Sequence, residues 1–195
     1  MGIYRSLHTS ILPPHARLCE VDLGRHASVD MEAPATSVMT DLRQVRAVTI
    51  TPDSSVEAAQ QRMIHAHVRM LLVVDGDDSM LGLLTARDLL GEKPIRVAVE
   101  DGVSRDAIAV ERVMIRPDHI QVLDYADVLH SSVGDIVKTM SESGRQHALV
   151  VERRHTPSVR GIFSITQIGR QLGVALEASE RPQSFAEVEH LLAST

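Results

Sequence analysis

Three pieces, Ser54-Ser55-Val56-Glu57-Ala58-Ala59, Met70-Leu71-Leu72-Val73-Val74 and Gly82-Leu83-Leu84-Thr85-Ala86-Arg87-Asp88, decide the reading of this chain, because they are followed by a near copy in the same order. The copy runs Ser131-Ser132-Val133-Gly134-Asp135-Ile136, then His147-Ala148-Leu149-Val150-Val151, then Gly161-Ile162-Phe163-Ser164-Ile165-Thr166-Gln167. Ser131 lies 77 positions after Ser54. An internal repeat fixes architecture before any single element does, since each copy is one folding unit that packs against the other.

Each copy parses in the same way. Ala47 to Ile50 is a short strand ended by Thr51-Pro52-Asp53, where proline cannot donate into a ladder. Ser54 and Glu57 have capping-box spacing and predict a helix with Val56, Ala59 and Met63 on one face. Met70 to Val74 and Met80 to Thr85 form a hairpin around Asp75-Gly76-Asp77-Asp78-Ser79, and a helix from Ala86 to Leu90 stops near Gly91 and Pro94. In the second copy, Ser104 to Val113 is a helical lead-in and Ile120 to Leu123 the short strand. Residues 124–131 are a longer connection, and Val133, Ile136, Val137 and Met140 make the helical stripe. Strands His147 to Val151 and Val159 to Ser164 and a helix from Thr166 to Leu172 complete the copy. Flanking these are an irregular N-terminal arm over residues 1–35, with a short element around 16–23, and a tail over 174–195. Ser184 and Glu187 repeat the capping-box spacing in that tail, and Phe185, Val188 and Leu192 share a helical face. The units are 36–97 and 98–173, and the fold class is α/β (α+β).

Composition narrows the function. With 195 residues and 44% hydrophobic content the chain builds a real core, but 2% aromatic residues and no Trp make that core aliphatic. A net charge of -6 argues against a nucleic-acid partner, which needs a basic face, while leaving room for a small anionic ligand held by a few local cations. The single Cys19 cannot close an internal disulfide and fits a reducing compartment. No apolar run of about 18 residues exists for a membrane span and Pro13-Pro14 interrupts the N-terminus. The expectation is a soluble cytoplasmic protein with no membrane partner.

Val38-Met39-Thr40, the Thr49-Ile50-Thr51-Pro52-Asp53 strand end, Leu72-Val73-Val74-Asp75 and Gly82-Leu83-Leu84-Thr85-Ala86-Arg87-Asp88 resemble the cystathionine-β-synthase (CBS) domain family. Val113-Met114, Leu149-Val150-Val151 and Gly161-Ile162-Phe163-Ser164 repeat the likeness, so residues of about 36 to 173 resemble a tandem pair of CBS domains, a Bateman module. The resemblance implies two units, each with a three-stranded sheet and two helices, packed through their sheets with pseudo-twofold symmetry. It implies clefts between them that hold AMP, ADP, ATP or S-adenosylmethionine as regulatory ligands, a disc-like homodimer, and a client protein that receives the signal.

Thr85 and Asp88 are the sharpest pair. A strand-end hydroxyl and a carboxylate three residues on, in a first helical turn, suit ribose hydroxyls, and exposed helix N–H groups suit phosphate or sugar oxygens. Gly82 lets a backbone come close. The same pair also reads as a helix cap and nothing more. In the second copy Ser164 keeps the hydroxyl, but Gln167 stands in the acidic place, and a neutral amide is a poorer acceptor for two hydroxyls. Thr40, Arg69, Arg87, Arg145 and His147 lie beside these motifs and supply further polar groups and cations for an adenosyl ligand. Each of the arginines also reads as a solvated surface residue, and His147 as a core histidine.

Ten histidines do not make a metal site here: His65 and His67 point apart on a helix, and there is no His-Glu-x-x-His and no second cysteine. Nor is there a nucleophile elbow, a Walker loop or a dinucleotide-binding glycine fingerprint. The sequence therefore predicts a regulatory adenosyl-binding module rather than an enzyme, with no cofactor or metal. The alternative is a protein-interaction scaffold whose clefts are degenerate.

Overall fold

The computed structural model describes residues 29–174 together with Leu176. Cys19, the N-terminal element around residues 16–23 and the helix expected after Ser184 lie outside the described residues. The first repeat contains β1 (Thr40–Asp41), β2 (Thr49–Ile50), α1 (Val56–His65), β3 (Met70–Val74), β4 (Met80–Thr85), α2 (Ala86–Leu90) and α3 (Glu92–Asp101). The second contains α4 (Val110–Val113), β5 (Val122–Asp124), α5 (Tyr125–Val128), α6 (Val133–Glu142), β6 (His147–Glu152), β7 (Ser158–Ser164) and α7 (Ile165–Leu172).

Local chemistry accounts for most boundaries. The N-cap of α1 is Ser55, whose Oγ accepts from the Ala58 N–H at 3.1 Å, while Ser54 meets the Thr51 hydroxyl at 3.0 Å. The predicted start is thus one residue early, because adjacent serines compete for one cap. The second helix starts at the predicted Ser132–Asp135 box. Both helices α1 and α6 end on the same device: His67 and Gly144 adopt positive φ, and the N–H groups of Val68 and Arg145 return to the carbonyls of Met63 and Met140. A helix is present where the sequence predicts only a stop. Gly91 ends α2, but α3 begins at once with Pro94 in its first turn, a position where the missing N–H costs nothing. The stretch 124–131, expected as connection, carries the short helix α5, capped by Asp124.

The described residues form two sheets, in the orders β2-β3-β4 and β1-β7-β6-β5. In each, a short strand pairs parallel with the first hairpin strand, and the hairpin is antiparallel. The second sheet has a fourth strand that the repeat does not predict: β1, from the lead-in of the first repeat, pairs antiparallel with β7. The other lead-in does the reciprocal thing, with Ile115 bridging to Leu83 of β4. The exchange continues upstream, where Pro34 bridges to Ser132 and Ala109 to Ser55.

Burial follows from this exchange. Ile108, Val110, Val113 and Met114 pack in the core of the first sheet with Val56, Leu71, Val73 and Leu84, and Lys93 Nζ donates to the carbonyls of Val113 and Met114. Ala35 and Val38 pack in the core of the second with Val137, Val150, Phe163 and Ile168. The outer faces of the two sheets meet through Met70, Leu72, Leu83 and Leu149. Strand β3 is therefore covered on both faces, which is why Met70 to Val74 is a continuous apolar run instead of an alternating one.

A buried ionic cluster fastens β1. Arg160 of β7 is 8% exposed, pairs with Asp41 of β1, lies 3.8 Å from Glu152 and stacks 4.8 Å from the Tyr125 ring. Arg43 reaches the same Glu152 at 2.6 Å. Removing Asp41 takes the nearest counter-ion from the buried Arg160 and leaves it only the longer contact with Glu152, so Asp41→Ala is expected to cost about 3 kcal/mol in urea unfolding. Gly82→Ala is a second expected disruption, by about 1–3 kcal/mol, because its new Cβ would fall 2.5 Å from the Ile115 carbonyl oxygen. Gly161→Ala meets the Met39 side chain instead and is expected to cost less, since a thioether can move aside and a backbone carbonyl cannot.

Candidate ligand-binding site

The junction of β4 and α2 positions the site. Thr85 closes the strand and caps the helix: its N–H and hydroxyl both donate to Asp88 Oδ2, at 2.8 and 2.6 Å, and its Oγ1 accepts from the Asp88 N–H at 3.3 Å. This is a reciprocal capping box. Ser132 and Asp135 form the same box on α6 with nearly the same distances. Capping thus explains the spacing in both places, and surroundings alone distinguish them. The Thr85–Asp88 box lines a cavity, and the Ser132–Asp135 box lines none of the principal pockets.

That cavity, of about 260 Å³, lies where the two repeats meet. The first repeat contributes Met70, Leu83, Thr85, Arg87 and Asp88. The second contributes Ile115, the His119-Ile120-Gln121 segment ahead of β5, and Gly144 to His147 with Leu149. The apolar wall comes from the inter-sheet core, and the polar wall from the β4–α2 junction and the loop before β6. An apolar slot with a few convergent polar groups is the general form of a small-molecule site. Arg145 is held across the cavity wall by a 3.3 Å bond from Nη1 to the Gln121 carbonyl.

His147 has a distinctive environment. It is half-buried at the start of β6, opposite Ser164, and its Nδ1 is buried with no hydrogen-bond partner. Burial, together with the positive charge of Arg69, lowers its pKa from 6.5 to about 4. The imidazole is therefore neutral at pH 7, and its residue lines the cavity while its Nδ1 stays buried and unsatisfied.

Of the nine residues predicted from sequence, five line this cavity: Thr85, Asp88, Arg87, Arg145 and His147. Arg69 acts on it through the field at His147 without lining it. Thr40, Ser164 and Gln167 lie on the pseudo-symmetric side, where the Thr40 hydroxyl donates to Gln167 Oε1 over 3.5 Å. Ser164 is the N-cap residue of α7 but makes no side-chain cap bond, so the second junction lacks the box that orders the first. The expected helix N–H groups are not free at α2 either, since the Asp88 N–H is taken by Thr85. Sequence reasoning missed His119, Ile120 and Gln121. Their signal was positional only: they precede β5 where Arg46, Ala47 and Val48 precede β2.

Comparison with known proteins agrees with this fold. The CBS domain family model matches residues 35–94. Among curated proteins, none is similar in sequence. An uncharacterised conserved protein from Pyrococcus horikoshii is 25% identical, with a TM-score of 0.55 over 77% of this chain and 100% of its own. CBSX2, solved in complex with AMP, is 19% identical, with a TM-score of 0.52 over 71% of this chain and 94% of its own. The CBS domain pair of protein MJ0100, solved with 5′-methylthioadenosine and S-adenosyl-L-methionine, is 18% identical, with a TM-score of 0.51 over 72% and 96%. Among the described residues no helix is long and apolar enough to cross a membrane, and no three His, Cys, Asp or Glu side chains converge as metal ligands.

The environment of His147 fixes a pH dependence. Its folded pKa lies below the unfolded value, so between about pH 6.5 and 4 the unfolded chain binds the proton and the folded chain does not. Its contribution to stability is complete above pH 6.5 and is lost as pH falls toward 4. Urea unfolding at pH 7 and pH 5 should differ by about 2 kcal/mol from this group. His147→Met, which installs the residue found at the equivalent Met70, should remove that part of the difference.

Proposed function

We propose that the chain, a pair of CBS domains in tandem, is a regulatory ligand-binding module that holds an adenosyl compound in the cavity between its repeats. The ligand class is AMP, ADP, ATP or S-adenosylmethionine, and the ligand signals to a partner protein, with a homodimer as the working form. The observation that carries this reading is the position of the Thr85–Asp88 box. Of two equivalent boxes, this one borders a cavity with walls from both repeats. Asp88 Oδ2 serves the cap, and the carboxylate keeps further acceptor sites for ribose hydroxyls. Arg87 and Arg145 suit phosphate, and the apolar wall of Met70, Leu83 and Ile115 suits a purine face. The complexes of CBSX2 with AMP and of MJ0100 with adenosyl compounds support the ligand class. CBS pairs are generally regulatory, which favours binding over turnover. A ligand that touches both repeats can signal only if it prefers one packing of them over another.

The second cleft favours a different reading for its own half of the molecule. Gln167 replaces the acid and its Oε1 accepts from the Thr40 hydroxyl over 3.5 Å, so this side is the poorer ribose site, and the scaffold reading with non-binding clefts applies best here.

Thermal-shift measurements with AMP, ADP, ATP and S-adenosylmethionine at millimolar concentration test the proposal. At least one is expected to raise Tm, and Asp88→Ala is expected to abolish that shift. Asp135→Ala removes the twin box at a similar stability cost, about 1 kcal/mol, and should leave the ligand shift intact. No stabilisation by any of the four would turn the reading to a scaffold with degenerate clefts.

A further inference from the structure

Strand β2 leaves one edge of the first sheet open. It stands outermost in its sheet, beside β3 alone. The Leu72 N–H donates to the Val48 carbonyl, and Thr49 and Ile50 are in register with Leu72 and Val73. Backbone groups alternate in direction along a strand, so those of Val48 and Ile50 face β3 and the N–H and C=O of Thr49 face outward. No other described segment bonds them. An unpaired edge of this kind is a template for an added strand. The matching place in the second repeat is built differently. There α5 follows β5 at once, Arg153 bonds Asp124 at 2.9 Å, and none of the principal pockets lines Val122 to Asp124.

Open space borders the β2 edge on both faces. A groove of about 890 Å³ runs between β2 and α1, and one of about 850 Å³ lies between β2 and the hairpin turns of both repeats. Both are lined by Arg46, Ala47, Thr49 and Val74. The two faces differ in charge. On the α1 side the titratable residues are Arg46, Arg62 and His65, with no carboxylate. On the hairpin side Asp77 and Asp78 stand among Leu42, Leu72, Met80 and Val159. Side chains of an added strand alternate between these faces. The α1 face is complementary to acidic side chains, and the hairpin face takes apolar ones and repels acids.

We propose that the β2 edge receives an extended acidic segment of a partner protein as an added strand, its backbone bonded to Thr49 and its alternate carboxylates facing Arg46 and Arg62. A second copy is disfavoured, because two β2 edges related by a twofold axis would set Arg46 and Arg62 against their own counterparts. The site is separate from the apolar face of α1 and α2. It uses Ala58, Gln61, Arg62 and His65 of α1, and that face uses Gln60, Met63 and Ile64, so the segment does not compete with a homodimer formed there. Binding at the edge requires no adenosyl ligand, since neither groove shares a residue with the cavity between the repeats.

Amide hydrogen exchange of the full chain, read by NMR, tests this with a short acetylated peptide of alternating glutamate and valine. A lysine–valine peptide is the control. In the free chain the Thr49 amide should exchange near its unprotected rate, and the glutamate peptide should slow it roughly ten-fold or more. The lysine peptide should not. Arg46→Glu combined with Arg62→Glu should weaken binding of the glutamate peptide roughly ten-fold, while Arg96→Glu, exposed on α3, should leave it unchanged. Thr49→Pro removes the outward N–H without touching the ladder to β3 and should weaken binding by a similar factor. Undiminished binding to Thr49→Pro would overturn strand addition, since a peptide held by charge alone ignores that change. No slowing at Thr49 by the glutamate peptide, or equal slowing by the lysine peptide, would overturn the proposal. So would protection of Thr49 in the free chain: protection lost on dilution assigns the edge to a second copy, and protection independent of concentration assigns it to the chain's own residues.

Discussion

Two glycines set how the repeats can meet. Gly82 of β4 lets the Ile115 backbone and the Met114 thioether lie where a Cβ would be, and Gly161 of β7 does the same for Met39. Each lead-in thereby crosses onto the sheet of the other repeat, donates its apolar side chains to that core, and cannot be withdrawn without opening it. The repeats are therefore interlocked, beyond the contact of one sheet face with the other. The inter-repeat cavity is a product of this interlock: Ile115, brought in by the close approach at Gly82, forms part of an apolar wall made otherwise by Met70, Leu83, Ile120 and Leu149. A side chain larger than glycine at position 82 would push the Ile115 backbone out and take that part of the cavity wall with it, whereas at position 161 it would displace the Met39 side chain.

The interlock is not equally secured at its two ends. On one side β1 forms a ladder with β7 and is fastened by Arg160, Asp41 and Glu152, a buried cluster stacked on Tyr125. On the other, the Leu83–Ile115 bridge is isolated, and Lys93 fastens the lead-in through neutral carbonyls. The better-fastened side is the one where Thr40 meets Gln167, and the less fastened side is the one with the cavity. The two ends of the interlock thus differ in kind, since one is held by a ladder with ionic contacts and the other by an isolated bridge with bonds to neutral carbonyls.

Much of this was legible because it rests on short-range chemistry. The hairpin strands, the Ser132 cap and the Thr85–Asp88 pair follow from periodicity and capping rules that operate over a few residues. The close backbone approach at Gly82 was readable as a possibility from the glycine alone. What escaped was non-local or depended on competition between neighbours. The strand β1 exists only because the second repeat offers a β7 edge. Helix α3 carries in its first turn a proline that also reads as a stop, and Ser55 outcompetes Ser54 for one cap. In the site, the hydroxyls and charged residues were visible by type, whereas His119, Ile120 and Gln121 matter by position ahead of β5 and carry no local pattern.

The two capping boxes show what a motif can and cannot carry. Thr85–Asp88 and Ser132–Asp135 have one geometry, and the energy of that geometry is fully accounted for by starting a helix. Nothing in the spacing itself selects a ligand. What differs is the surroundings: Asp88 borders a slot whose opposite wall belongs to the other repeat and includes Arg145 and His147, a ring whose buried Nδ1 has no partner. The cost of leaving a buried ring nitrogen without a partner is of the order of 1–3 kcal/mol. That cost is borne only in the packing that buries His147, so it opposes this arrangement of the repeats and is relieved by any shift that lets water or a protein donor reach the ring.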